Sequence, residues 1–127
     1  MREINFRGYN RKNKQWIYGF YLQNRGAHFV CPDEFANGKS WDDYEVDPET
    51  VGQFTSLYDK NHKRIFEGDI LKVGEEKTLI EVRFVRGVFA FLWDGDLDDE
   101  FPCNAPTHEW AKVIGNIYDD PKLLKRH

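Results

Sequence analysis

The side chains best suited to hold a metal are His28, Cys31, Cys103 and His108, the first two three positions apart and the last two five apart. Structural zinc takes four tetrahedral nitrogen and sulfur ligands, usually offered in pairs on tight turns. If residues 27–31 form a strand, side chains three apart leave opposite faces, and His28 and Cys31 cannot chelate one ion. Buried thiols and ordinary histidines are the simpler reading, so no metal or cofactor is assigned. The run Asp94-Gly95-Asp96-Leu97-Asp98-Asp99-Glu100 sets carboxylates at alternate places, as a calcium loop does. An EF-hand needs glycine at its sixth position and a bidentate glutamate at its twelfth. Asp99 and Ala105 stand there instead, which leaves a charged hairpin loop as the expectation.

Catalysis has little to work with. No serine sits in a nucleophile elbow, no glycine-rich loop runs into Lys-Ser or Lys-Thr, and no His-Glu-x-x-His occurs. Cys103 with His108 could make a nucleophile pair, but core packing explains them equally well. No catalytic residue is assigned, and a non-enzymatic protein is expected. The N-terminus does join cations to rings. Arg7, Arg11, Lys12 and Lys14 lie beside Tyr9 and Trp16, the composition with which proteins neutralise and stack single-stranded nucleic acid. Arg7, Arg11, Lys12, Lys14 and Trp16 are therefore the candidate contacts for nucleic acid or a protein partner. A solvated hairpin tip with its rings turned to the core accounts for the same pattern and is favoured.

The whole chain sets limits on these readings. Its 127 residues fit one domain large enough to bury a core without disulfides or metals. Ten Phe, six Tyr and four Trp make it 16% aromatic, which favours pleated, half-buried surfaces over helices. The net charge of −4 opposes general attraction to phosphate. Charge is also unevenly spread: residues 1–14 and 122–126 are basic, and Asp33–Glu49 and Asp94–Glu100 are acidic. Basic ends and an acidic middle could draw copies together head to tail, although solvated surface charge is the plainer reading. Two cysteines far apart do not make a secreted disulfide framework. No apolar run follows Met1-Arg2-Glu3-Ile4-Asn5, and none nears the ~20 residues a membrane span needs. A cytoplasmic protein with reduced thiols and no membrane partner is expected.

The elements that must carry these residues are short strands. Ile4 to Leu22 reads as a hairpin turning at Asn10–Lys14, with Trp16, Tyr18 and Phe20 alternating on its return. Ala27–Cys31 is a further strand, and Pro32 to Asp47 a long loop dotted with Phe35, Trp41 and Tyr44. Asp47-Pro48-Glu49-Thr50 is a helix start of one or two turns, cut short by Gly52. A second hairpin spans Phe54 to Phe66 around Asp59-Lys60-Asn61-His62. Strands then follow at 70–73, 79–85, 88–93 and 113–118, with a closing short helix from Asp120-Pro121. In the strand 79–85, Ile80, Val82 and Phe84 share one face, and Glu81 and Arg83 the other. The fold class expected is mostly β with one or two short helices. It comprises a hairpin-rich N-terminal part (1–66) and a small SH3-like β-barrel part (67–127) of a single domain.

One stretch is more specific. Val46-Asp47-Pro48-Glu49-Thr50-Val51-Gly52-Gln53-Phe54-Thr55 runs on to Asp59-Lys60-Asn61 and Ile65-Phe66-Glu67-Gly68-Asp69-Ile70. It closely resembles the central signature of the YopX-like proteins that bacteriophages and prophages encode. Ile4-Asn5-Phe6-Arg7 and Val113-Ile114-Gly115-Asn116-Ile117-Tyr118, with Pro121 and Leu123-Leu124, agree with it. Ser56 and His62 stand where that pattern has glycine, and Tyr9 where tryptophan is usual. His62 matters only if its turn needs a positive φ, a strain that Asn61 could take instead. The resemblance implies a mostly β fold, phage or prophage origin, a bacterial cytoplasm and self-assembly into a homo-oligomer. A phage or host protein is the other expected partner. A nucleic-acid module of phage replication or expression is the runner-up. The resemblance implies no reaction.

Overall fold

A computed structural model describes residues 5–32, 38–74, 79–102 and 106–124. The chain forms two compact units, Met1–Phe54 and Thr55–His127. Its described secondary structure is mostly β, in two antiparallel sheets.

The first unit is built on β1 (Phe6–Asn10), β2 (Gln15–Asn24) and β3 (Ala27–Cys31), with β2 between the other two. The turn at Arg11–Lys14 joins β1 to β2 in the register Tyr9↔Trp16 and Arg7↔Tyr18. On its other side β1 meets the start of β4 (Gly52–Tyr58), at Phe6↔Gln53 and Arg7↔Gly52. Ile17, Phe29, Val30, Cys31, Tyr44 and Val46 form the core of this unit.

Tyr44 and Val46 belong to the stretch that the sequence marked as irregular. Ser40 opens a single 3-10 turn, Trp41–Asp43, and its backbone N–H donates to the Asp43 carboxylate at 3.0 Å. The chain then lies along the outer edge of β3. Val30 N–H donates to Tyr44 C=O at 3.1 Å, and Val46 N–H to His28 C=O at 2.9 Å. An edge strand left bare would invite pairing with other chains, and this segment covers it. Its close approach also dictates Gly8. A Cβ at that position would stand 2.8 Å from Cβ and both methyls of Val46. The expected one-turn helix follows at Pro48–Thr50, where the Asp47 side chain accepts from Glu49 N–H at 3.3 Å.

β4 runs on into the second unit, where it lies beside β5 (Arg64–Phe66). The sheet of this unit comprises β6 (Asp69–Val73), β7 (Leu79–Val85), β8 (Val88–Trp93), β9 (Glu100–Pro102) and β10 (Ala111–Asn116). Its spatial order is β10-β6-β7-β8-β9. Ile65, Leu71, Ile80, Val82, Phe91 and Ala111 form the core. The final expected helix is a 3-10 turn, Pro121–Leu123, and one α-helical turn that the sequence did not suggest, α1 (Thr107–Trp110), precedes β10.

One expectation needs correction here. The sequence suggested a small closed barrel, but among the described residues β9 and β10 are the two edges of an open sheet. β9 is only three residues long and ends in Pro102, which has no N–H to give a further strand. Glu81 and Arg83 do share the face opposite Ile80 and Val82, and that face is covered as well at Glu81. The Glu81 side chain is fully buried, and Arg83, two residues along the same face, donates to its carboxylate from Nε at 2.8 Å and Nη2 at 2.6 Å. Phe84, on the face of Ile80 and Val82, is 47% exposed at the strand end.

Candidate functional site

Arg11 and Lys12 of the first hairpin meet the acids of residues 42–47, some thirty residues later in the chain. The turn is shaped by Asn10, whose Oδ1 accepts Asn13 N–H at 2.7 Å. The same buried side chain reaches the acidic segment, donating from Nδ2 to Asp42 C=O at 3.2 Å and Glu45 C=O at 2.7 Å. Arg11 donates from Nε to Asp47 Oδ2 at 3.1 Å and also bonds it through Nη2. Lys12 Nζ lies 3.0 Å from Asp42 Oδ2 and 2.8 Å from Asp43 Oδ1. Asn13 Nδ2 adds a bond to Asp43 Oδ1 at 3.1 Å. A cleft of about 380 Å³ lies between Asn10–Lys12 on one side and Asp42 and residues 45–48 on the other.

These pairings shift the groups involved in opposite directions. Lys12, with Ser40 N–H and Asn13, holds the Asp43 carboxyl far below the usual carboxylate range. The bond from Arg11 lowers Asp47, and the Ser40 hydroxyl, with Lys12, lowers Asp42. Lys12 is raised in turn by Asp43 and Asp42, and Arg11 by Asp47. The tip is a closed ionic lattice in which each of these acids faces a cation or a donor.

The candidate contacts divide into two groups. Arg11, Lys12 and Lys14 stand at the exposed tip, Lys14 with a φ of 55°. Arg7 does not join them: it is buried on β1, with its guanidinium carbon 4.9 Å from the centre of the Trp16 ring. Trp16 packs edge-on to Tyr9 at 5.5 Å. Tyr9 and Trp16, the rings expected to turn to the core, are each partly buried, and of the other rings of β2 Tyr21 packs against the core while Tyr18 and Phe20 do not. Trp16, Tyr18 and Phe20 share the face opposite Ile17, and Tyr18 is 48% and Phe20 60% exposed. Alternation revealed the two faces of β2 but not which one would be covered. The acids were visible only as a dense acidic run, with nothing local to name Arg11 and Lys12 as their partners.

The metal reading meets the strand it depended on. Residues 27–31 are β3, with His28 opposite Gln23 and Cys31 opposite Phe20. His28 Nδ1 lies 2.6 Å from the Tyr21 hydroxyl, and burial pushes the Cys31 thiol up. Cys103 lies outside the described residues. Among those described, no three His, Cys, Asp or Glu side chains are grouped as a metal would need. Asp94–Asp99 form the hairpin loop between β8 and β9, where Asp96 Oδ1 accepts Asp98 N–H at 2.9 Å. No helix among the described residues is long and apolar enough to cross a membrane.

A family profile described as YopX protein matches residues 5–125. The fold is similar to that of protein EF1440 from Enterococcus faecalis, known from its crystal structure. The two share 24% identity and a TM-score of 0.61, over 98% of this chain and 100% of that one. No curated protein matches the sequence.

Proposed function

Because the chain belongs to the YopX family, whose profile spans nearly all of it, we propose that it is a non-enzymatic interaction protein that binds copies of itself. Phage or prophage origin and action in the bacterial cytoplasm, which the family resemblance implies, are part of this proposal. The observation that carries it is the ring-bearing face of β2, where Tyr18 is 48% and Phe20 60% exposed. Contiguous exposed rings mark association surfaces, and Tyr, Trp and Phe are enriched at interface cores. At about 25 cal/mol per Å², covering each ring gains roughly 1–2 kcal/mol.

A second copy is the occupant this face suits best. Tyr18 and Phe20 lie two residues apart on one strand and carry no charge that would select an oppositely charged partner. A two-fold axis crossing between them sets each Tyr18 against the other copy's Phe20, the self-complementary contact of an isologous dimer. The Arg7–Trp16 stack borders one end of the strip. In the second unit, we read the β6-to-β9 meander and the return of β10 to β6 through α1 as an SH3-like arrangement left open.

The nucleic-acid reading draws less support, since Arg7 is buried and Arg11 and Lys12 are engaged by carboxylates. Sedimentation across the micromolar range tests self-association. Wild type should shift from monomer to dimer, and the double variant Tyr18→Ser, Phe20→Ser should stay monomeric with unchanged circular dichroism. A wild type that is monomeric throughout removes the proposal.

A further inference from the structure

The ionic lattice at the hairpin tip holds more charge than its docking needs. Backbone groups already fasten the acidic segment: Asp47 N–H to Tyr9 C=O at 2.9 Å, Val46 N–H to His28 C=O at 2.9 Å, and both Asn10 contacts. Tyr44 and Val46 are buried beneath it. Exposed ion pairs add little to such an anchor. The Arg11 side chain is 78% and the Lys12 side chain 49% exposed, even with their carboxylate partners in place. What the acids do change is the field of the tip.

We propose that Asp42, Asp43 and Asp47 screen a binding site for the phosphodiester backbone of single-stranded nucleic acid, formed by Arg11, Lys12 and Lys14. The acidic stretch lays its carboxylates along the cations much as a phosphate backbone would, so protein and nucleic acid compete for the same charges. Phosphate binding rests on the cations an anion can neutralise, and carboxylates within 3.0 Å of Lys12 remove that drive. Tyr9 and Trp16 pack on each other beside this four-residue turn, with Arg7 against Trp16, so the tip offers charge rather than free stacking rings, and its ligand is the phosphodiester backbone of one flexible strand. The site is latent, and it becomes strong when the acids are neutralised or drawn away. This inference stands apart from self-association, which uses the face of β2.

Fluorescence anisotropy with a labelled oligo-thymidylate at low salt tests it. The triple variant Asp42→Asn, Asp43→Asn, Asp47→Asn keeps side-chain oxygens able to accept the Ser40 and Glu49 N–H groups. It should bind about tenfold more tightly than wild type, with a steeper salt dependence. Adding Arg11→Gln, Lys12→Gln and Lys14→Gln should abolish that gain. The control Asp96→Asn, Asp98→Asn, Asp99→Asn changes net charge equally in the other unit and should leave affinity within about twofold of wild type. Asp42→Asn alone, the mildest change, should gain about threefold and serves if the triple variant fails to fold. The proposal is overturned if the acid variants bind no better, if the control gains as much, or if the gain survives loss of the three cations. Oligomeric state is unaffected by any of these results.

Discussion

His62 shows what a single residue can store in this fold. It takes a φ of 65° itself, rather than passing that conformation to Asn61, and Ser56 within β4 has a φ of 72°. Both are positions where the resemblance leads us to expect glycine, and both take the left-handed backbone that strains other residues. A left-handed non-glycine residue costs about 1–2 kcal/mol, and glycine's extra unfolded-state freedom offsets part of that. His62→Gly, at an exposed position, should therefore raise stability by roughly 0.5–1 kcal/mol in urea titrations. Asp59 organises the same turn. Its buried carboxylate accepts Asn61 and Lys63 N–H at 2.8 Å on Oδ1, and Val113 N–H at 3.0 Å on Oδ2.

Burial alone would raise the Asp59 carboxyl, but those three N–H groups and the nearby Lys63 charge outweigh it and hold it low. A folded pKa below the unfolded one gives stability that is complete above the ordinary carboxylate range. That stability is lost as pH falls through the folded value. Asp43 and Asp47 act in the same direction. Asp59→Ala should cost about 1–3 kcal/mol at neutral pH, because it removes the acceptor shared by three partly buried N–H groups. The gap from wild type should narrow as thermal melts are taken from pH 6 towards pH 3. A gap that stays constant would contradict the shifted carboxyl.

At the level of elements, the signature Asp47-Pro48-Glu49-Thr50 is a clamp on β1. Thr50 Oγ1 donates to Asp47 C=O at 2.6 Å and accepts Tyr9 N–H at 2.8 Å. Gly8 completes the fit by lying flat under Val46. Gly8→Ala should destabilise by about 1–3 kcal/mol through overpacking, and adding Val46→Ala should return part of that loss. β7 carries the other element-level test. Arg83→Ala leaves the Glu81 carboxylate buried without its guanidinium and should cost about 3 kcal/mol. Replacing both with leucine should cost far less, which separates loss of this ion pair from a general packing loss.

For the molecule as a whole, the proposed self-association has two candidate surfaces. Basic ends and an acidic middle would pair copies through charge, whereas the β2 face would pair them through rings. Ring burial is insensitive to screening, and exposed charge pairing is not. The dimerisation constant should therefore change by less than about threefold between low salt and 0.5 M. A steep fall would favour the charge-paired arrangement.

Local chemistry accounts for what could be read directly from the residues. Alternation marked β1, β2, β7 and β8, the Asp-Pro pairs started the turns at 48 and 121, and the central signature named the family. These features depend on neighbours a few positions apart, where side-chain period and turn geometry act alone. Folding in space settled the rest. It set Lys12 against Asp42 and Asp43, stacked Arg7 on Trp16, buried Glu81 beside Arg83, and left Tyr18 and Phe20 uncovered. Among the described residues it also left the second sheet open between β9 and β10. Alternation tells a strand that it has two faces, but which face is covered, and which distant charge answers a given one, is decided by segments dozens of residues away.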